Sequence, residues 1–287
     1  MTVTTSMSAK KAEQIAAEQR AAYEKEGYLV FPSLLSVGEL NVLQKALAEV
    51  LREADGLTET NERFSVTPTG NGGFAVRRIF EPILRHPAFH ELVFNSKILD
   101  VVENLIGPNI QLHHTKLNLK PPSGRQARFE WHQDYPFFPH TNYDLLAVMI
   151  YFDDSTEENG CLNIIPGSHK GGPRNHLFSR DGAFTSQLED KAVVEDPTRW
   201  LKVPVPAGGM ELHHCNMLHS SSANQGTRPR SAMVIQYRAA DNVALGGNMT
   251  NAGFGLQVRG TNPYSVRMIG GTFKLPGKIE DPLQRDG

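Results

Sequence analysis

Between residues 109 and 239 the chain is cut into short apolar runs, and this texture limits its fold more than any other feature. Candidate strands cover 109–119, 145–153, 161–165, 201–205, 209–214 and 231–239, separated by turns. Six or more short strands of this kind can bury their faces only by packing sheet on sheet or by closing into a barrel. The expected fold is mainly β, a double-stranded β-helix of the jelly-roll or cupin-like kind. Asn159-Gly160 stands between two of the runs and reads as a hairpin dipeptide.

The N-terminal third differs. Residues 1–8 are expected to be disordered, and the polar run from Ser8 to Glu26 favours a helix that stops at Gly27. YLVF at 28–31 is a further short strand. Ser36-Val-Gly-Glu39 has the form of a capping box, ahead of Leu40, Leu43, Leu47 and Leu51 on one helical face. Residues 57–80 read as a loop with some β structure, and 87–106 as a second helical region closed by Gly107-Pro108. With no internal repeat and no low-complexity linker, a single domain is expected over 1–287. Helical support over about 9–106 would buttress a jelly-roll core over about 109–240, with 241–287 as a C-terminal extension.

Apolar residues make up 39% of the 287 and charged residues 21%, enough for a sizeable core. A net charge of −2 supplies no bulk attraction to nucleic acid or to an anionic membrane. No run of about 18 apolar residues occurs, and the N-terminus lacks the apolar stretch of a secretory leader. Two cysteines, Cys161 and Cys215, cannot make a disulfide framework. A cytosolic protein with a small-molecule substrate is expected, without nucleic acid or membrane as partner.

The chemistry concentrates in three places. In the strand at 109–119, alternation sets His114, Lys116 and Asn118 on one face and Thr115, Leu117 and Leu119 on the other. RFEWHQDYPFFPH, residues 128–140, puts His132 and Asp134 one residue apart among aromatic side chains. Far downstream come His213, His214 and His219. A jelly roll brings distant strand ends together, and two His with one Asp on one face of an ion, three positions open, is the ligand set of non-heme Fe(II) oxygenases. His213 and His214 are adjacent and so point to opposite faces of a strand. His219 is the preferred third ligand, because Ser221 and Arg230 follow it. An Arg projecting into a pocket demands an anion, and a dicarboxylate cosubstrate meets that demand with a bidentate pair.

HTKLNLKPPSG (114–124), WHQDYPFFP, NGCLNIIPGSHK (159–170) and the His219, Ser221, Arg230 run together resemble the phytanoyl-CoA dioxygenase family of Fe(II)/2-oxoglutarate oxygenases. The likeness covers roughly residues 20–240. It implies that His132, Asp134 and His219 bind Fe(II). It also implies that Arg230, helped by Ser221, pairs with the distal carboxylate of 2-oxoglutarate, and that Lys116 and Asn118 contact the same cosubstrate. O₂ is the second cosubstrate, and succinate and CO₂ accompany oxidation of a C–H bond. Asp134 is retained where related halogenases carry a small residue, so oxygenation is expected rather than halogenation. Tyr135, Phe137 and Phe138 are candidates for the substrate wall. Arg77, Arg78, Arg174 and Trp200 are candidates for touching the substrate, and Arg125 and Arg128 for the phosphates of an acyl-CoA. A small metabolite ranks ahead of an acyl-CoA as substrate. A non-redox metal-binding isomerase or sensor of cupin type is the alternative reading.

Overall fold

The polar N-terminal run forms a helix longer than expected. In the computed structural model, which describes residues 2–69, 72–122, 128–178, 184–247 and 249–269, α1 spans Thr2–Glu26. Residues 2–8 are therefore helical rather than disordered; no Gly or Pro occurs between Thr2 and Glu26 to break the helix. Gly27 ends it with φ 84°. After β1 (Tyr28–Phe31) comes α2 (Val37–Arg52), opened by the expected capping box. The Glu39 N–H donates to Ser36 Oγ at 3.3 Å, and the Ser36 N–H donates to the Glu39 carboxylate at 2.7 Å. The loop at 57–80 contains two paired strands, β2 (Phe64–Pro68) and β3 (Phe74–Phe80). The single helical region expected over 87–106 is two helices, α3 (Pro87–Leu92) and α4 (Ser96–Ile106). Asn95 divides them, because it leaves helical geometry at ψ 120° to accept the Lys97 N–H and cap α4.

The strands that follow are β4 (Ile110–Lys120), β5 (Phe129–His132), β6 (Leu145–Tyr151), β7 (Leu162–Ile164), β8 (His176–Phe178), β9 (Phe184–Leu188), β10 (Leu201–Val203), β11 (Met210–His214), β12 (His219–Ser221), β13 (Arg230–Ala239) and β14 (Gln257–Arg259). One large sheet runs β1-β11-β6-β13-β4-β3-β2, with β14 added on β4; a smaller one runs β10-β7-β12-β5; and β8 pairs with β9. These opposed sheets make the expected jelly roll. Strand β14, within the C-terminal extension, ties that segment to the core.

The two faces of the large sheet do different work. Toward the helices, Leu117, Leu119, Val148, Ile150, Leu212, Met233 and Ile235 pack with Leu43, Leu47, Phe89 and Val102. Each such side chain, fully buried, contributes about 1.5–3 kcal/mol. Toward the small sheet, Ala147, Met149, Tyr151, Ala232 and Val234 meet Leu162, Ile164, Val203 and Met217. Lys116, Asn118 and Lys120 of β4, Glu211 and His213 of β11, and Arg230 and Gln236 of β13 fall by alternation on this second face.

Two local features depart from simple alternation. The pairing of β13 with β4 shifts between Gln236 and Tyr237, whose partners are His114 and Leu112. His113 is the extra residue of that bulge, so His113 and His114 lie together, Nδ1 to Nδ1 at 2.7 Å. Asn159-Gly160 forms no hairpin: it links β6 in the large sheet to β7 in the small one. Gly160 has φ 83°, and a Cβ there would stand 2.3 Å from the Ser222 carbonyl oxygen. The turn therefore needs glycine for both conformation and space.

Candidate metal and anion site

Antiparallel pairing of β12 with β5 places His219 directly opposite His132, and their ring centroids lie 4.1 Å apart. Asp134 follows two residues after His132, just past the end of β5. One ligand atom from each of His132, Asp134 and His219 lies within 4.8 Å of the others, with His219 Nε2 at 3.9 Å from Asp134 Oδ1. Each histidine uses Nδ1 on the carbonyl two residues earlier in its own chain, His132 on Glu130 at 2.6 Å and His219 on Met217 at 3.0 Å. That bond places the ring hydrogen on Nδ1 and leaves the Nε2 lone pair for an ion. Burial holds the His132 imidazole down at about 4 and that of His219 well below its usual value. Burial alone would raise Asp134, but His213, His219 and Lys116 together keep its carboxyl well below the usual carboxylate range. Two neutral imidazoles and a carboxylate with their ligand atoms converging in this way fit Fe(II).

The downstream histidines separate as strand alternation requires. His214 turns outward against His169 and Tyr23, with ring centroids at 5.1 and 6.0 Å. His213 turns inward beside the triad, its Nε2 3.6 Å from Asp134 Oδ2 and its ring 4.4 Å from His219. Its Nδ1 faces the fully buried Glu211 carboxylate at 3.0 Å. Burial opposes a charge on His213, yet Glu211 and Asp134 outweigh it and lift the imidazole to about 10. Gln236 Nε2 donates to Asp134 Oδ2 at 2.6 Å. Asp134 Oδ2 is thus engaged from behind while Oδ1 faces His219.

A second centre is cationic. Arg230 is 1% exposed. It donates from Nη2 to the Gly160 carbonyl at 3.0 Å and lies 5.6 Å from the Tyr151 ring centroid, while its Nε has no hydrogen-bond partner. No carboxylate stands within ion-pair distance of it among the described residues. Register sets Lys120 opposite Arg230, and Lys120 Nζ donates to Ser221 Oγ at 2.8 Å and to the Ser222 carbonyl. Burial, reinforced by Arg230, pushes the Lys120 ammonium down to about 6. A buried guanidinium without an acid, beside an amine that an arriving anion would hold protonated, forms a ready anion site.

Of the residues expected on the cosubstrate, Arg230 and Ser221 therefore meet. Asn118 lies one alternation step along β4 and accepts from Arg78 Nε at 3.2 Å. Lys116 lies a further step away, half-buried on the side of Asp134. Lys120 lies one residue past the strand expected over 109–119; the alternation through His114, Lys116 and Asn118, continued once more, reaches it. Glu211 and Gln236 are missed by the sequence reading, and His213, weighed there as a ligand, stands instead behind Asp134. Polar residues at alternate positions of an apolar strand were the available signal for Glu211 and His213.

The aromatic candidates divide. Phe137 meets His132 edge-on at 5.7 Å and borders the triad. Phe138 packs on His113 and His114 at 4.7 and 5.2 Å. Tyr135 is 1% exposed, packs on Tyr143 at 5.1 Å and donates its hydroxyl to the His140 carbonyl. It belongs to the packing beneath the site. Trp200 lies against Trp131 at 5.1 Å. Arg128 is paired on the surface with Glu130 at 2.8 Å, and Arg125 lies outside the described residues.

Comparison with known proteins identifies the family. A sequence model of phytanoyl-CoA dioxygenase matches residues 23–232. The chain is 34% identical, over 94% of both chains, to a probable alpha-ketoglutarate-dependent hypophosphite dioxygenase of Stutzerimonas stutzeri. It is 28% identical to an ectoine dioxygenase of Sphingopyxis alaskensis, over 79% of this chain and 77% of that one. Among solved structures, EctD from S. alaskensis with 2-oxoglutarate and 5-hydroxyectoine superposes with a TM-score of 0.66 at 25% identity, over 89% of this chain and 87% of that one. A jelly roll carrying a His-Asp-His cluster, matched to the family model along most of its length, makes this chain a member of the phytanoyl-CoA dioxygenase family.

Proposed function

We propose that this protein is an Fe(II)- and 2-oxoglutarate-dependent dioxygenase that hydroxylates a small organic or inorganic metabolite in the cytosol. The observation that carries the reading is the pairing of a buried His132/Asp134/His219 cluster, its two imidazoles neutral and oriented by backbone carbonyls, with a buried Arg230 that lacks an acid partner. In this reading His132, Asp134 and His219 hold the metal. Arg230, Lys120 and Ser221 take the distal carboxylate of 2-oxoglutarate, and Asn118 borders its path. Fe(II) bound there supplies the redox chemistry that couples decarboxylation of 2-oxoglutarate by O₂ to replacement of a substrate hydrogen by hydroxyl, leaving succinate and CO₂.

The chain's own residues do the rest. Gln236 donates to Asp134 Oδ2 and His213 faces it at 3.6 Å, so the carboxylate would present Oδ1 to the ion. Phe137 closes one side against water. Relatives named for hypophosphite and for ectoine support a small-molecule substrate; a long acyl-CoA is disfavoured because Arg128 is already paired. The test is anaerobic addition of Fe(II) and then 2-oxoglutarate to the metal-free protein, followed by visible absorbance. A metal-to-ligand charge-transfer band in the wild type, absent from His219→Ala, is expected. Its absence from a folded wild type that binds iron would refute the oxygenase reading and favour a metal-binding isomerase or sensor.

A further inference from the structure

Once the ion and cosubstrate are accounted for, the inner face retains positive charge with nothing to meet it. The proposed ligands of 2-oxoglutarate, Arg230 and Lys120, match its two carboxylates. Asp134 cancels only half the charge of Fe(II), and Glu211 is spent on His213. Two further cations, Lys116 and Arg78, line the same barrel interior. Lys116 follows His114 on the inward face of β4, half-buried, and its ammonium has no ion pair or hydrogen bond among the described residues. Its partner across the pairing with β3 is Phe80, and that of Asn118 is Arg78, so Arg78 and Lys116 belong to successive same-face rungs of one ladder, with the Ile79 and Leu117 rung between them facing the other way.

Arg78 is held rather than free. Its Nε donates to Asn118 at 3.2 Å, and its guanidinium lies between the rings of Phe129 and Phe80, 5.6 and 6.0 Å from their centroids. No carboxylate is within ion-pair distance of it among the described residues. Burial pushes Lys116 down to about 8 against the pull of Asp134, and Arg78 to about 10, so neither cation is fully compensated. A pocket built for a neutral skeleton gains nothing from a desolvated cation pair, whose burial is costly until an anion arrives.

We propose that Lys116 and Arg78 form a second anion clamp that receives the substrate, and that the substrate is a small oxoanion carrying an oxidisable C–H or P–H bond. This rests on the oxygenase reading and revises the role expected of Lys116, from the cosubstrate to the substrate. Phe129 and Phe80 flank Arg78, and Phe137 stands beside His132, so the walls around the clamp and the triad are aromatic.

The test uses the full-length protein loaded with Fe(II) and 2-oxoglutarate without O₂. Probes are hypophosphite, methylphosphonate and dimethylphosphinate, with dimethyl sulfone as a neutral molecule of the same shape as the last. Binding is read by calorimetry and by perturbation of the charge-transfer band. At least one anion is expected to bind more tightly than the sulfone and to weaken with added salt. In Lys116→Met and in Arg78→Met its affinity should fall about tenfold or more, the worth of one charged hydrogen bond. Affinity for 2-oxoglutarate in both variants, which also reports folding, should stay within about twofold of wild type, a change well under one such bond.

Three results overturn the proposal while leaving the oxygenase reading intact: no probe anion perturbs the loaded complex, the sulfone binds as well as dimethylphosphinate, or the variants weaken 2-oxoglutarate instead of the anion. Failure of the wild type to bind 2-oxoglutarate at all removes both readings.

Discussion

Replacing Arg230 by Met should move two properties in opposite directions. Arg230 is 1% exposed and has one backbone acceptor, Gly160 O at 3.0 Å, while its Nε is unpartnered. In the cosubstrate-free protein it is a desolvated charge with no acid partner, and it depresses the neighbouring Lys120 ammonium. Met keeps much of the apolar volume and removes the charge. Replacing buried ionic groups with packed apolar ones gains about 1–4 kcal/mol, and loss of the Gly160 bond returns about 1 of that. A net gain of roughly 1–2 kcal/mol should raise the Tm of the cosubstrate-free variant by a few degrees. Binding of 2-oxoglutarate should suffer, because truncating one member of a buried charge pair costs about 2–5 kcal/mol. With Lys120 and Ser221 still in place, about 3 kcal/mol is expected, which is roughly a hundredfold in Kd. Differential scanning calorimetry without cosubstrate and titration calorimetry with it give the two numbers. A folded variant with unchanged affinity for 2-oxoglutarate would refute the assignment of Arg230.

Three other outcomes follow from the same geometry. Glu211→Leu or His213→Phe, which free Asp134 Oδ2 on one side, should weaken Fe(II) binding about 10- to 100-fold, as measured by anaerobic metal titration; unchanged affinity would mean that Gln236 alone orients the carboxylate. Gly160→Ala, whose Cβ would meet Ser222 O at 2.3 Å, should destabilise by about 2 kcal/mol in urea unfolding and displace the carbonyl that holds Arg230. The third concerns acid. Burial depresses His132 and His140 to about 4 and His114 and His214 to about 3. Between those values and the usual imidazole pKa the unfolded chain binds more protons, so stability rises with pH across that window and is lost as pH falls. Each histidine contributes up to about 1.4 kcal/mol per pH unit there, so circular dichroism of the metal-free protein should show cooperative unfolding as pH drops from about 6.5 toward 4. His213, raised to about 10, acts in a different window: its contribution is fully present below the usual imidazole pKa and is lost as pH climbs toward 10. Stability that stays flat from pH 6.5 to 4 would contradict the buried-neutral assignment of these rings.

Much of this arrangement could be read from short-range pattern. The capping box at Ser36 and Glu39 is a contact three residues long, and β4 announces its two faces by plain alternation. His132 and Asp134 are close because they are close in sequence; the place of His219 needed only the idea that strand ends meet. What stayed hidden depends on long-range register. The turn dipeptide Asn159-Gly160 is chemically suited to a hairpin, yet the next strand is captured by the other sheet. The bulge at His113 exists only relative to β13, so nothing within β4 marks it. The partners of Asp134 on β11 and β13 lie about 80 and 100 residues away, as the Gln236 bond shows by its separation of 102. Local pattern could not say which polar residues would be neighbours of Asp134.

The division of labour along β4 constrains how this chain can vary. Leu117 and Leu119 serve the helix-facing core, while Lys116, Asn118 and Lys120 serve the pocket. A substitution in either set leaves the other in place, so the pocket can change its cargo while the scaffold stays constant. A single inserted or deleted residue does the reverse. It would turn the ammonium groups toward the helices and the leucines toward the ion, damaging both at once. This strand is therefore permissive to exchange and intolerant of length change, and diversification of the pocket proceeds residue by residue on a fixed frame.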